Sequence, residues 1–202
     1  MKHLKIQRSL VELNLKDFSL KGEPVISQQR VLKDIASIFL DQDALKNIPE
    51  ETSVYQVQSW LPVAEGTSGG LFFGTSTILP GKVGNEYFMT KGHYHAKSDR
   101  AEFYWGVQGE GMLILMDRDR NTWAEKVYPG SLHYIGGEIA HRLANTGSEN
   151  LIVGACWPSD AGHDYQEIAV NGFSARLLEI DRNPVLIDCK NKSLNCMEVR
   201  SK

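Results

Sequence analysis

Glycine and proline divide most of this chain into short segments, and this spacing constrains the fold more than any other feature. From Pro49 onward the breaks fall at Gly66, Gly69-Gly70, Pro80-Gly81, Gly109, Gly111, Pro129-Gly130, Gly136-Gly137 and Gly147. Between them lie short strand-like stretches at 54–57, 71–79 and 112–116. Short strands at such intervals favour a sandwich or barrel over alternating strands and helices. The sequence therefore predicts an all-β fold after residue 49, in which a ligand would bind at the mouth between two sheets.

The two ends of the chain differ from this β-rich middle. Val31, Leu32, Ile35, Ile38 and Phe39 recur at helical spacing, between Ser27 as an N-cap and Pro49 as a stop. We therefore expect one helix over about 28–47, within an N-terminal extension of residues 1–49. Near the other end, segments 176–180 and 185–187 predict strands ahead of a polar tail. The length of 202 residues suits a single domain.

Charge and hydropathy exclude several classes of function. Lys and Arg (22) nearly balance Asp and Glu (25), and a net charge of -3 argues against binding a nucleic-acid backbone. The longest apolar stretches, 112–116 and 151–158, are far shorter than the roughly 18 residues of a membrane-spanning helix. The first 18 residues contain no continuous apolar segment of the kind that a secretory signal needs. We therefore expect a cytoplasmic protein with no nucleic-acid and no membrane partner.

Two histidines separated by one residue give the strongest functional signal. His93 and His95 point to the same face if this segment is extended. Glu102 follows the turn-like segment 96–99, from which a bend would return its carboxylate toward the two imidazoles, and His141 lies about forty residues later. An isolated His-x-His pair is more often structural or solvent-exposed. The added glutamate and third histidine favour a metal site instead.

Such a site would combine three imidazoles with one carboxylate. This ligand set suits Fe(II), Mn(II), Ni(II) or Zn(II) rather than Ca(II), which prefers oxygen ligands. Four protein ligands on an octahedral metal leave two positions for substrate or water. The arrangement is therefore typical of a catalytic metal and not of a structural one.

The same residues resemble the two conserved motifs of the cupin superfamily. The first motif, His-x-His, a spacer, Glu, six residues and Gly, is matched by His93, His95, Glu102 and Gly109. The second is matched by Gly130, His141 and Asn145, with Gly136 and Glu138 in place of its usual proline and second glycine. The six-residue spacer between His95 and Glu102 is longer than the usual one, and one branch of the superfamily shares it.

That branch is the cupin-type phosphoglucose isomerases, best known from archaea. The run 80–102 closely resembles them, as do the blocks 160–165 and 172–174, with a weaker similarity at 30–35. The resemblance covers roughly residues 50–175, which would form the barrel core. It implies a homodimeric double-stranded β-helix, or jelly-roll barrel. Its members interconvert glucose 6-phosphate and fructose 6-phosphate, small sugar phosphates.

The resemblance also implies a role for individual residues. The metal, usually Fe(II) in this family with other divalent ions accepted, would be bound by His93, His95, Glu102 and His141. The substrate phosphate would be held by Ser76, Thr90 and the backbone N–H of Gly92. The sugar pocket would be lined by Tyr55, Tyr104, His163 and Tyr165. Trp157 stands where a relative has tyrosine, which removes one hydroxyl and leaves a related substrate, mannose 6-phosphate, open.

Aldose–ketose isomerisation moves a hydrogen between C2 and C1 while charge builds on the adjacent oxygens, and a divalent metal stabilises that charge. A proton-transfer route through an enediol needs a base. Glu102 is the best-placed carboxylate, and Tyr104 or His163 would move the hydroxyl protons. A hydride shift needs no base, so both routes stay open.

Two other functions stay open as well. A cupin dioxygenase could use the same ligand set to activate oxygen, although positions 76, 90 and 92 and the long spacer count against it. A sugar-phosphate-binding cupin without turnover is the other alternative, which the retained Glu102 and three histidines disfavour.

Overall fold

Antiparallel strands make up most of the computed structural model, which describes residues 4–189. The polar tail predicted at the end of the chain lies beyond residue 189, outside the described residues. The strands are β1 (Glu12–Leu13), β2 (Leu20–Lys21), β3 (Val25–Val31), β4 (Ser53–Trp60), β5 (Leu71–Ile78), β6 (Lys82–Val83), β7 (Glu86–Tyr87), β8 (Glu102–Gln108), β9 (Gly111–Met116), β10 (Thr122–Val127), β11 (Leu132–Ile135), β12 (Ala140–Asn145), β13 (Leu151–Pro158), β14 (Ala175–Ile180) and β15 (Asn183–Asp188). The helical segments are α1 (Leu32–Ile35), a 3₁₀ turn (Ala36–Ile38), α2 (Gln42–Leu45) and α3 (Gln166–Asn171).

The described strands pair into four antiparallel sheets, as the glycine and proline spacing predicts. The largest has the order β11-β8-β13-β5-β4-β3, and a three-stranded sheet has the order β10-β9-β12. A four-stranded sheet, β15-β14-β7-β6, and the pair β1-β2 complete the fold. The all-β, jelly-roll expectation is confirmed, including the two strands expected near 176–187, which pair as β14 and β15.

The hydrophobic core joins the six-stranded and three-stranded sheets. Ile78 of β5 and Val153 of β13 pack in one cluster with Leu113 and Leu115 of β9 and Leu143 of β12, all almost fully buried. Burial of each such side chain contributes roughly 1.5–3 kcal/mol to folding. This packing fixes the inner faces of the two sheets relative to each other.

The single helix expected over about 28–47 is wrong in its extent. Residues up to Val31 form strand β3, which pairs with β4 from Val25 opposite Trp60 to Val31 opposite Ser53. Helical turns begin only at Leu32, which is buried together with Ile35. The helical spacing of the apolar residues is therefore real after residue 31, whereas backbone pairing with β4 determines the conformation before it. No helix in residues 4–189 is long and apolar enough to span a membrane.

Candidate active site

The four predicted metal ligands lie together although they come from three separate segments. His93 and His95 belong to an irregular segment that pairs with β12 through a bridge between His93 and His141. Glu102 is the first residue of β8. One ligand atom from each of the four residues lies within 4.8 Å of all the others. The bend over 96–101 thus brings the carboxylate back to the imidazoles, as the sequence predicts.

Backbone carbonyls fix the orientation of two of the imidazoles. His95 donates its Nδ1–H to the carbonyl of Arg100 at 2.5 Å, and His141 donates its Nδ1–H to Ile139 at 3.2 Å. Each histidine then directs Nε2 toward the same oxygen of Glu102, at 3.1 Å from His95 and 2.7 Å from His141. Such outer hydrogen bonds set the tautomer that a metal-binding histidine requires.

One inner nitrogen of this cluster, Nε2 of His141, lacks a hydrogen-bond partner among the described residues. With Nδ1 protonated, a neutral imidazole presents a lone pair at Nε2, and the carboxylate of Glu102 also presents lone pairs. Accordingly, Nε2 of His141 is buried and forms no hydrogen bond with any described residue despite its short distance to Glu102. A cation between these atoms would satisfy them. The donor set therefore fits a divalent transition metal.

The pKa values in the cluster follow from burial and from these contacts. Burial of Glu102 opposes its charged form, but the imidazoles of His141 and His95 outweigh it and lower the pKa of Glu102 far below 4.5. Burial lowers the pKa of His93 well below 6.5. Burial also acts to lower the pKa of His95, but the hydrogen bond and charge of Glu102 raise it overall. At neutral pH, Glu102 is thus anionic and His93 neutral, the forms that bind a metal.

A cavity of about 370 Å³ opens next to the cluster, within the size range of small-molecule sites. The inner face of the six-stranded sheet forms one wall, because neighbouring residues on β8, β13, β5 and β4 line it. All the substrate-contact residues predicted from the resemblance line this cavity: Tyr55, Ser76, Thr90, Gly92, Tyr104, His163 and Tyr165. Their individual roles stay predictions.

Two titratable side chains in the cavity lie beside the metal ligands without belonging to them. The ring of His163 lies 4.4 Å from that of His93 and stacks on Tyr165 at 5.7 Å. Burial lowers the pKa of His163 below 6.5. Tyr104 is partly buried beside the charge of Glu102, and its desolvation and this charge raise its pKa well above 10. At neutral pH, His163 can accept a proton and Tyr104 retains one to donate.

The segment from Thr90 to Gly92 presents hydrogen-bonding groups to the cavity. The hydroxyl of Thr90 accepts the N–H of Leu143 at 3.0 Å, which leaves its hydrogen free to donate. The N–H of Gly92 has no hydrogen-bond partner among residues 4–189. Gly92 has φ +78°, and a Cβ there would lie 2.8 Å from Phe173 and 3.0 Å from Nε of Arg142. Only glycine fits this turn without strain.

Two further cavity residues were not predicted from the sequence. Gln28 and Arg30 line the cavity from β3, a segment for which the sequence predicts a helix. Gln28 and Arg30 are two residues apart, so in a strand their side chains lie on the same face. This spacing is the signal that could have placed them together. Trp157 lines the cavity as well and packs edge-on against Phe72 with ring centroids 5.9 Å apart.

Comparisons with known proteins point to one family. Residues 29–193 match the family model described as Glucose-6-phosphate isomerase (GPI). The glucose-6-phosphate isomerase of Thermococcus litoralis is 40% identical over 159 residues, covering 79% of this chain and 84% of the relative. That of Thermococcus onnurineus is 42% identical over 151 residues, covering 74% and 79%. That of Sinorhizobium medicae is 36% identical over 155 residues, covering 75% and 72%. The model match and these relatives extend over most of the chain, which therefore belongs to the glucose-6-phosphate isomerase (GPI) family.

Proposed function

We propose that this chain is a metal-dependent aldose–ketose isomerase that interconverts glucose 6-phosphate and fructose 6-phosphate. The observation that carries the proposal is the convergence of His93, His95, Glu102 and His141 at a cavity of about 370 Å³. That volume suits a hexose phosphate, and hydroxyl groups and a free backbone N–H line it. The relatives from Thermococcus litoralis and Thermococcus onnurineus are named glucose-6-phosphate isomerase, which denotes the same reaction.

The metal would be held by His93, His95, Glu102 and His141. We propose Fe(II) as the bound metal, and Mn(II), Ni(II) and Zn(II) suit the same donors. When bound, a divalent ion supplies a Lewis acid that stabilises negative charge on the substrate oxygens.

The protein's own groups provide the proton chemistry. Glu102 is anionic at neutral pH and is our candidate for the base that acts near C1 and C2. His163 is neutral and can accept a hydroxyl proton, whereas Tyr104 retains its proton and can donate it to a substrate oxygen. These protonation states support an enediol route.

The phosphate and the sugar would occupy the rest of the cavity. Hydroxyls of Ser76 and Thr90 and the N–H of Gly92 would donate to the phosphate oxygens. Tyr55 and Tyr165 would contact the sugar. Gln28 and Arg30, which line the same wall, extend the polar part of the cavity toward the edge of the sheet.

Chelation tests the proposed function. We expect purified protein to convert fructose 6-phosphate to glucose 6-phosphate, to lose this activity in EDTA, and to recover it with Fe(II), Mn(II), Ni(II) or Zn(II). Mannose 6-phosphate should be assayed in parallel because Trp157 changes the cavity wall. Metal binding without turnover on either sugar phosphate would overturn the proposal. Oxygen consumption would then support a dioxygenase, and sugar-phosphate binding alone would support a non-enzymatic cupin.

We also propose that the chain is a homodimer in the cytoplasm. The outer face of the six-stranded sheet carries an apolar group that we call the outer patch: Leu71, Phe73, Phe103, Trp105, Leu132 and Tyr134. Leu132 is 75% exposed and Tyr134 64% exposed. A contiguous exposed apolar surface is typical of a protein interface, and a second copy of the chain would cover it by two-fold symmetry.

A further inference from the structure

Two cationic side chains line the candidate substrate cavity. Arg30 lies on β3, the edge strand of the six-stranded sheet, directly opposite Tyr55 on β4. Lys91 lies between Thr90 and Gly92, the two residues expected to contact the substrate phosphate. Both cations are partly buried. Their place in the cavity is independent of the metal-binding cluster.

Neither cation has an acidic partner. The guanidinium of Arg30 donates only to the carbonyl of Gln29 at 3.2 Å and the side-chain oxygen of Gln28 at 3.3 Å. The ammonium of Lys91 lies 5.0 Å from the ring centroid of Tyr165. Among residues 4–189, no carboxylate lies within ion-pair distance of either group.

Two basic residues outside the cavity are neutralised by an acidic one. Lys97 and Arg100 share Asp160, with contacts of 2.8 Å. Two carboxylates line the cavity, Glu65 and Glu102. Glu102 contacts two histidines, and Glu65 forms no ion pair with Arg30 or Lys91. Arg30 and Lys91 therefore bring to the cavity two positive charges that no described carboxylate pairs with.

The positive charge of Arg30 also acts on two tyrosines of the cavity. Burial raises the pKa of Tyr55 and of Tyr165, and the positive charge of Arg30 opposes the rise at both hydroxyls. The backbone of Lys91 opposes the rise in the pKa of Tyr55 as well. Arg30, Lys91 and the two tyrosines thus surround one region of the cavity.

We propose that Arg30, assisted by Lys91, binds the phosphate group of the substrate. This inference rests on the proposed function and adds a charged component to a phosphate site that otherwise consists of hydroxyls and one backbone N–H. A guanidinium can donate two hydrogen bonds to a phosphate dianion, which is stronger than donation from neutral groups.

Steady-state kinetics with metal-loaded protein tests this proposal. Arg30→Met should raise KM for fructose 6-phosphate about 10-fold or more with kcat unchanged, because the contact is made equally in the ground and transition states. Arg30→Lys should recover much of the loss. KM of the unaltered protein should also rise with ionic strength more steeply than KM of Arg30→Met, since salt screens a partly exposed charge contact.

Lys97→Met is the matched control, because it removes one positive charge from a residue outside the cavity. It should leave KM and the salt dependence unchanged. If Arg30→Met lowers only the melting temperature, or if its KM equals that of the unaltered protein, Arg30 does not bind phosphate.

Calorimetric titration of metal-free protein with fructose 6-phosphate and with inorganic phosphate separates this inference from the proposed function. If the protein does not isomerise sugar phosphates but binds them with an affinity that falls in Arg30→Met, phosphate binding by Arg30 is supported and the isomerase function is refuted. If the unaltered protein turns over normally and Arg30→Met binds both ligands as tightly as it does, the isomerase function is supported and Arg30 does not bind the phosphate.

Discussion

At the residue scale, charge states in the ligand cluster follow from burial and from short distances between side chains. A carboxylate that is 95% buried would normally favour its neutral form, but two imidazoles at 2.7 and 3.1 Å hold Glu102 anionic. Two backbone carbonyls meanwhile fix the tautomers of His95 and His141. The protein's own contacts thus orient these side chains as metal ligands.

Glu102→Gln tests whether this carboxylate is both ligand and base. An amide is a weaker metal ligand and has no basic oxygen, so we expect loss of bound metal and a fall in kcat of about 100-fold or more. Metal content by atomic emission and turnover with excess metal measure the two effects.

Glu125→Gln is the control for that change. Glu125 contacts His133 at 2.6 Å in a histidine–glutamate pair that does not line the cavity. This variant should retain metal and activity. Unchanged metal content and rate in Glu102→Gln would show that Glu102 is neither ligand nor base.

His163 gives a prediction about pH. Because burial lowers its pKa below 6.5, the neutral, proton-accepting form persists as the pH falls, and protonation removes it only at more acidic pH. The acid limb of kcat should therefore lie below pH 6.5. His163→Gln should lower kcat by about 100-fold and abolish that limb. An acid limb that is unchanged in this variant would assign the titration to another group.

At the element scale, the sequence predicts best those strands whose ends are set by neighbouring residues in the chain. Glycine and proline bound β5 and β9, and both form where expected. Strand β3 is different, because its conformation depends on pairing with β4, more than twenty residues away. Its local spacing of apolar residues indicates a helix that begins only at Leu32.

The same distinction explains which site residues could be predicted. His93, His95, Glu102 and His141 were identifiable from spacing and from the motif, because their residue types are specific to metal binding. Arg30 carries no such signal in the sequence. Its place in the cavity results from the register of β3 on β4, which only the folded chain determines.

The turn at Gly92 leads to a prediction for the segment that joins the metal ligands to the expected phosphate site. Gly92→Ala must adopt φ +78° and place a Cβ against Phe173 and Arg142. We expect a loss of about 2–3 kcal/mol in the free energy of unfolding and a raised KM for fructose 6-phosphate. Denaturant unfolding and steady-state kinetics measure these effects.

Gly69→Ala separates backbone strain from crowding. Gly69 has φ +71°, but a Cβ there would have no neighbour within 4 Å. Its replacement should cost about 1 kcal/mol and leave KM unchanged. Equal destabilisation in the two variants would show that the contacts of Gly92 with Phe173 and Arg142 do not matter.

At the scale of the whole molecule, the two faces of the six-stranded sheet differ in composition. Residues that alternate along β8 point in turn to the cavity, as Glu102 and Tyr104 do, and to the outer patch, as Phe103 and Trp105 do. Within the outer patch, Phe103 packs against Tyr134 and Trp105 against Phe73, each pair with ring centroids 5.4 Å apart. The same strands can therefore serve catalysis inside and association outside.

This division predicts that association can be removed without removal of the metal site. Leu132→Glu combined with Tyr134→Glu places two charges in the outer patch, where burial without a partner is unfavourable. We expect sedimentation to show a shift from dimer to monomer at micromolar concentration, with bound metal retained. Val170→Glu, at a 76% exposed position on α3 outside the patch, should leave the dimer intact. A monomeric unaltered protein, or a charged variant that remains dimeric, would refute the outer patch as the dimer interface.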